Sequence, residues 1–170
     1  MDAPDGRLTG HGEGWLDMKD RDHVAERCYL VSCVSAKRKA PSKAKDLYIS
    51  AWFKKARCYV EGTGCPWFIL SAEHGLVHPE SVIAPYEKTL NAMHVDQRRQ
   101  WAARVIHQMK SALPPADSIV VFAGAKYREF ITEHLRSRFS EVLFPLEGLR
   151  IGEQLSWFSH NKKGPQIGSH

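Results

Sequence analysis

Four short apolar runs set the rhythm of the chain. Cys28 to Val34, Trp67 to Leu70, Ser118 to Phe122 and Val142 to Phe144 are β-rich and end in small or polar residues, which predicts buried strands. Between them the spacing changes to that of helices. Pro41-Ser42 opens a predicted helix over 43–60 with Ser42 as N-cap, and Leu47, Tyr48, Trp52, Phe53 and Tyr59 supply its packing surface. Tyr48 and Trp52 read as core residues more readily than as ligand contacts. Glu61-Gly62-Thr63-Gly64 ends that helix. Residues 87–93 form a polar linker or short helix. Asp96 caps or begins a helix reaching Leu113, where Trp101, Val105 and Met109 recur every four residues and Pro114-Pro115 stops the run. Further helices are predicted over 127–139 and 151–158. Strands alternating with helices predict an α/β fold: a single three-layer domain with a mostly parallel central sheet of about four strands flanked by helices. That domain covers 25–160. Residues 1–24 read as a flexible arm that Leu8, Trp15, Leu16 and Met18 would dock, and 161–170 as a disordered tail.

A parallel sheet collects its strand ends on one edge, where ligands bind. Three ends carry chemistry. The first strand runs into Ser32-Cys33-Val34-Ser35-Ala36-Lys37, whose amides and lysine suit a phosphate or carboxylate. It lacks the glycine-rich loop of nucleotide hydrolases. The second runs into Ser71-Ala72-Glu73-His74-Gly75, followed by Pro79 and Pro85-Tyr86. Gly75 permits a turn, and the two prolines argue for an ordered loop instead of a helix. The third ends at Ala123-Gly124-Ala125. Asp46, Tyr48 and Ser50, on the early turns of the first helix, would face the same edge.

Composition narrows the class. The chain has 170 residues, 43% hydrophobic and 25% charged, which suits a globular domain with a core. No apolar run approaches the roughly 20 residues of a membrane span. The N-terminal stretch is acidic and glycine-rich, unlike a signal peptide. The expectation is a cytoplasmic protein without membrane attachment. Net charge is +5 and the isoelectric point is near 9.1. Lys37, Arg38, Lys39, Lys43 and Lys45 crowd one segment, with Lys54, Lys55 and Arg57 following. Such a cluster is either an anion-binding face or a solvated one. The cysteines Cys28, Cys33, Cys58 and Cys65 form no CxxC pair, and reduced thiols are expected. Gly75 and Pro79 disrupt the spacing of His74 and His78, so neither a metal site nor a cofactor is expected.

Five blocks in one order, SCVSAK, AKDLYISAWF, WFILSAEHGLVHPESVIAPYEKTL, FAGAKY and LEGLRIGEQLSWF, resemble the DUF6884 family of bacterial and phage proteins over about Cys28 to Phe158. The middle block is also similar to peroxide-stress proteins of the YaaA type. SCVSAK more distantly resembles the Cys-Ser-x-x-Lys region of the archaeosine synthase core domain. These resemblances imply a nucleic-acid-linked α/β domain that acts on a base or binds DNA. No segment matches a helix-hairpin-helix or the water-activating motif of glycosylases.

The expected function is that of a nucleic-acid-associated enzyme acting on a base or nucleoside, by N-glycosidic cleavage or base exchange. That chemistry needs a carboxylate, for which Asp46 and Glu73 are the candidates, and His74 would protonate the departing base. The binding set is Ser32, Cys33, Ser35, Lys37, Tyr48, Ser50, Ser71, Gly75, Tyr86 and Gly124. Within it, Lys37 would hold phosphate and Tyr48 or Tyr86 would stack on an extruded base. Cys33 is either a nucleophile or simply buried. The partner is nucleic acid, DNA ahead of RNA, or a nucleoside-type ligand. The alternative is a non-catalytic DNA-binding protein of stress response or phage conflict that grips phosphates through its lysines. A third reading is an enzyme of free nucleotides or sugar phosphates using the same pocket.

Overall fold

The computed structural model describes residues 27–161. The predicted arm over 1–24 and the tail beyond 161 lie outside the described residues. Strand β1 (Arg27–Ser32) is followed by β2 (Ser42–Lys43), α1 (Ala44–Leu47), α2 (Ala51–Thr63), β3 (Trp67–Ser71), β4 (Gly75–Val77) and β5 (Val82–Ile83). Then come α3 (Val95–Ala112), β6 (Ser118–Phe122), α4 (Ala125–Arg128), α5 (Thr132–Arg138), β7 (Glu141–Leu143) and α6 (Ile151–His160). A five-stranded sheet has the order β4-β3-β1-β6-β7. β3, β1, β6 and β7 are parallel, and β4 runs antiparallel to β3. β1 is central. Its residues Cys28–Ser32 are all buried, as is the whole of β6. Strands covered on both faces need apolar side chains at every position, which is why these segments read as continuous runs.

Aromatic side chains cement the layer made by α2 and α6. Tyr29 and Phe122 on the sheet, Tyr59 on α2, and Trp157 and Phe158 on α6 meet at centroid distances of 5.2 to 6.2 Å. Each such contact adds about 0.5–1.5 kcal/mol beyond its buried area. On α3 the buried positions are Trp101, Ala102, Val105 and Met109, the stripe that the four-residue spacing predicts. No helix among the described residues is long and apolar enough to cross a membrane.

The structure departs from the predicted elements in four places. The helix expected over 43–60 is broken. Ser42–Lys43 pairs antiparallel with Val82–Ile83 instead of capping a helix. Ala44–Leu47 makes one turn, and Tyr48 is extended, with φ −86° and ψ 123°. The loop after β1 takes the backbone groups that a helix would have used: Arg38 N–H donates to Leu47 O at 2.8 Å and Ile49 N–H to Ala36 O at 3.0 Å. Ser50 is the true cap, accepting from Phe53 N–H at 3.1 Å. Asp96 lies inside the first turn of α3, where His94 is the N-cap. The helix expected over 127–139 is two pieces, α4 and α5. Finally, the predicted loop after β3 folds back as β4, adding a fifth, antiparallel strand to the four parallel ones.

Gly75 makes that reversal possible. Its φ is +76°, and a Cβ there would stand 2.2 Å from Gln108 Oε1. Gln108 accepts from Leu76 N–H at 2.8 Å and donates to His74 O at 3.1 Å. Gly75→Ala therefore meets both a left-handed backbone and a displaced amide. We expect a loss of about 2–3 kcal/mol, read as a lower urea midpoint at unchanged slope.

Candidate functional site at the carboxyl edge of the sheet

Parallel pairing puts Ser32 beside Leu70, and Cys33 N–H donates to Leu70 O at 2.9 Å. The polar tips of β1 and β3 are thereby adjacent. Tyr86 closes over them. Its hydroxyl accepts from Ser71 Oγ at 2.9 Å and lies 2.6 Å from the hydroxyl of Tyr48. Ser71 Oγ also accepts from His74 N–H at 3.0 Å, which fixes the turn after β3. The backbone of Lys37 bridges that of Tyr48. Lys37 Nζ then lies 4.4 Å from the centre of the Tyr86 ring and donates to Ser35 O at 3.3 Å. α4, the helix that follows the tip of β6, contributes Tyr127, whose hydroxyl is 3.3 Å from Cys33 Sγ.

These elements enclose a cleft of about 580 Å³ lined by Ser32, Cys33, Val34, Ser35, Lys37, Tyr86, Glu87, Lys88, Thr89, Asn91, Gly124 and Tyr127. A second depression of about 500 Å³ shares Glu87, Lys88 and Thr89 with it and continues to Trp101 and Arg104. Burial is the largest influence on Lys37 and on the three phenols. It lowers the proton affinity of Lys37, while Cys33 and Glu87 pull the other way. It pushes the Tyr48 hydroxyl up to about 12 and raises those of Tyr86 and Tyr127. The three phenols are thus neutral hydrogen-bonding groups, not bases.

Six of the predicted site residues line the cleft: Ser32, Cys33, Ser35, Lys37, Tyr86 and Gly124. Ser71 and Tyr48 stand behind it, both buried and joined to Tyr86. Ser50 lies in a neighbouring groove with Trp52, Ile151 and Gln154 that meets the cleft at Ser32, Val34 and Gly124. Gly75 serves the β4 reversal. The predicted acid–base residues are elsewhere. Asp46 is bound to Arg57 at 2.7 Å, and that guanidinium holds its carboxyl below the usual range. Glu73 pairs with Lys88 at 3.5 Å and is absent from the lining of both depressions. His74 is exposed and meets Tyr86 edge-on at 5.6 Å. Sequence reasoning missed Glu87, Lys88, Thr89, Asn91 and Tyr127. Glu87 directly follows Pro85-Tyr86, and Tyr127 closes the FAGAKY block, so proximity to recognised positions was the available signal. Among the described residues no group of three or more His, Cys, Asp or Glu is placed to hold a metal.

Residues 28–160 match the profile of a family of unknown function (DUF6884). The chain belongs to the DUF6884 family. No curated protein and no solved structure matches it. The cleft lies wholly within the DUF6884 span, from Ser32 to Tyr127.

The thiols of this DUF6884 chain report on the cleft. Cys58 is exposed, whereas Cys28 is fully buried, and burial pushes its thiol up to about 12. Only the thiolate alkylates, so at pH 8 iodoacetamide should modify Cys58 first and leave Cys28 untouched until the chain unfolds. Cys33 should react between the two and be shielded by any ligand in the cleft. Peptide mass spectrometry reads the order, and equal labelling of Cys28 and Cys58 would contradict this burial.

Proposed function

We propose that the chain is a nucleic-acid-associated enzyme acting on a base or nucleoside, by N-glycosidic cleavage or base exchange. One observation carries the reading. Lys37, Glu87, Cys33 and Tyr127 share a single cleft of about 580 Å³, within the range of about 300–1,000 Å³ typical of small-ligand sites. Breaking a bond from sugar C1′ to a base nitrogen builds positive charge on the sugar and negative charge on the base. A carboxylate beside the sugar stabilises the first. Glu87 takes that role in place of Glu73, which does not line the cleft.

The roles of the tyrosines also change. Tyr48 is 1% exposed, so no base can stack on it. The face of Tyr86 carries the Lys37 ammonium at 4.4 Å. Tyr86 therefore acts as a seat for the lysine, and Ser32, Thr89 and Asn91 supply polar groups for a base or sugar. Lys88, half exposed at the rim, is suited to a phosphate. We place this activity in the cytoplasm, where the free cysteines would stay reduced.

A non-catalytic DNA-binding role is the second reading, favoured by the exposed Arg38 and Lys39 beside the cleft. Fewer lysines are free for it than the sequence implies. Lys43 and Lys45 both pair with Glu80, and Lys55 donates to Ser159 Oγ at 2.6 Å.

Incubation with modified and unmodified DNA, RNA and nucleosides should release a free base, detected by chromatography. Glu87→Gln should cut release by about 100-fold or more, within the usual effect of removing an acid–base group. Glu73→Gln should change it by less than about threefold, since that side chain lies outside the cleft. Undiminished release by Glu87→Gln removes the carboxylate assignment. No release from any substrate, with binding that weakens by a log–log slope of about −0.9 per phosphate contact, favours the second reading.

A further inference from the structure

We propose that Lys37 is the amine nucleophile of this cleft, forming a transient imine with sugar C1′ as the base departs. The proposal rests on the base-release reading and deepens it. Four observations support the lysine over its neighbours. Its nitrogen is aimed by two contacts, the Tyr86 ring face at 4.4 Å and Ser35 O at 3.3 Å. Its backbone is pinned on both sides, by the bridge to Tyr48 and by Arg38 N–H donating to Leu47 O at 2.8 Å. A nucleophile held this way keeps its geometry without help from the ligand.

Third, Lys37 has no carboxylate within ion-pair distance among the described residues. Lys43 and Lys45 are matched to Glu80, and Lys88 to Glu73. A salt-bridged lysine loses its counter-ion attraction when it gives up a proton. Lys37 feels only the more distant charges of Cys33 and Glu87, and its burial outweighs them in disfavouring the charged form. Fourth, Lys88 lines the same cleft, and its exposed 3.5 Å pair with Glu73 is weak enough for an anion to displace, so Lys37 is not needed as the phosphate cation.

The step balances without an oxidant or reductant. Solvent accepts the ammonium proton, and ionised Glu87 in the same cleft offsets the positive charge that builds on the sugar. The nitrogen lone pair attacks C1′. The bond from C1′ to the base breaks, and its electron pair leaves with the base, which takes a proton from solvent. The nitrogen then gives up a proton, its lone pair forms the second bond to C1′, and the C1′–oxygen bond breaks with its electron pair on the ring oxygen, which takes that proton. The ring is open and the product is a protonated imine. Water then adds to C1′ and the C1′–Nζ bond breaks, which regenerates the lysine and leaves the sugar as an aldehyde.

An abasic site already presents that aldehyde, so the amine is testable apart from base release. The full chain is mixed with a single-stranded oligodeoxynucleotide carrying one abasic site, and sodium borohydride is added to reduce any imine. A denaturing gel should show a covalent adduct, and mass spectrometry should map it to Lys37. Lys37→Arg keeps the charge and the ring contact but cannot form the imine. It should lower the adduct at least tenfold while holding the oligonucleotide within threefold by fluorescence anisotropy. Lys110→Ala, an exposed lysine in the last turn of α3 and outside the cleft lining, should leave the yield unchanged. Thermal melting of each variant checks that it folds. An adduct that maps elsewhere, or persists in Lys37→Arg, overturns the proposal, as does the absence of an adduct. Wild type that releases base yet traps nothing removes the imine and leaves base release standing. An adduct at Lys37 with no base released from intact substrates supports the amine and removes base release.

Discussion

The hydroxyl of Tyr86 is the point on which the site depends. It sits between Ser71 Oγ, the last residue of β3, and the hydroxyl of Tyr48, which follows α1. Ser71 and Tyr48 are buried, and a buried hydroxyl without a partner costs about 1–3 kcal/mol. The three therefore hold one another, and in doing so pin the proline-bounded loop after β5 to the sheet edge. Because Tyr86 is fixed, its ring can seat Lys37, and the residues after it, Glu87 to Thr89, become a wall of the cleft.

The parallel sheet supplies the other half of the geometry. Adjacent parallel strands end on the same side, so β1, β3 and β6 deliver Cys33, Ser71 and Gly124 to one edge. Helices on the sheet hold that edge still. The cluster of Tyr29, Tyr59, Phe122, Trp157 and Phe158 locks α2 and α6 to the strands. Polar residues at the strand tips can then be spent on binding instead of folding, because apolar burial deeper in the strands supplies the stability.

The architecture was legible because burial on both faces writes itself as continuous apolar runs. All four predicted strands exist, within two residues at either end, and the stripe on α3 is where its spacing placed it. What was illegible came from pairings distant in sequence. Nothing local to residues 43–48 says that Ala36 and Arg38 will claim their backbone groups, yet that competition ends the helix at Leu47 and turns Tyr48 inward. The cleft was half legible for the same reason. Small residues ending a strand mark Ser32 to Lys37 and Gly124 as an edge. The choice between Glu73 and Glu87 depends on where β4 turns. The reversal at Gly75 brings Glu73 against Lys88 and Arg104, while Tyr86 carries Glu87 to the cleft wall. A carboxylate's neighbours in three dimensions, not its distance from a strand end, set its availability.

The most direct test is whether, and where, a nucleic-acid ligand touches the chain. Amide ¹H–¹⁵N spectra recorded during titration with an unmodified single-stranded oligodeoxynucleotide give that map residue by residue. This account predicts shifts concentrated at Ser35, Lys37, Glu87 to Thr89, Asn91 and Gly124, the backbone around the cleft. Shifts confined to the outer face of α2 around Lys54 and Cys58, with the cleft amides unmoved, or no shifts at all, would contradict it.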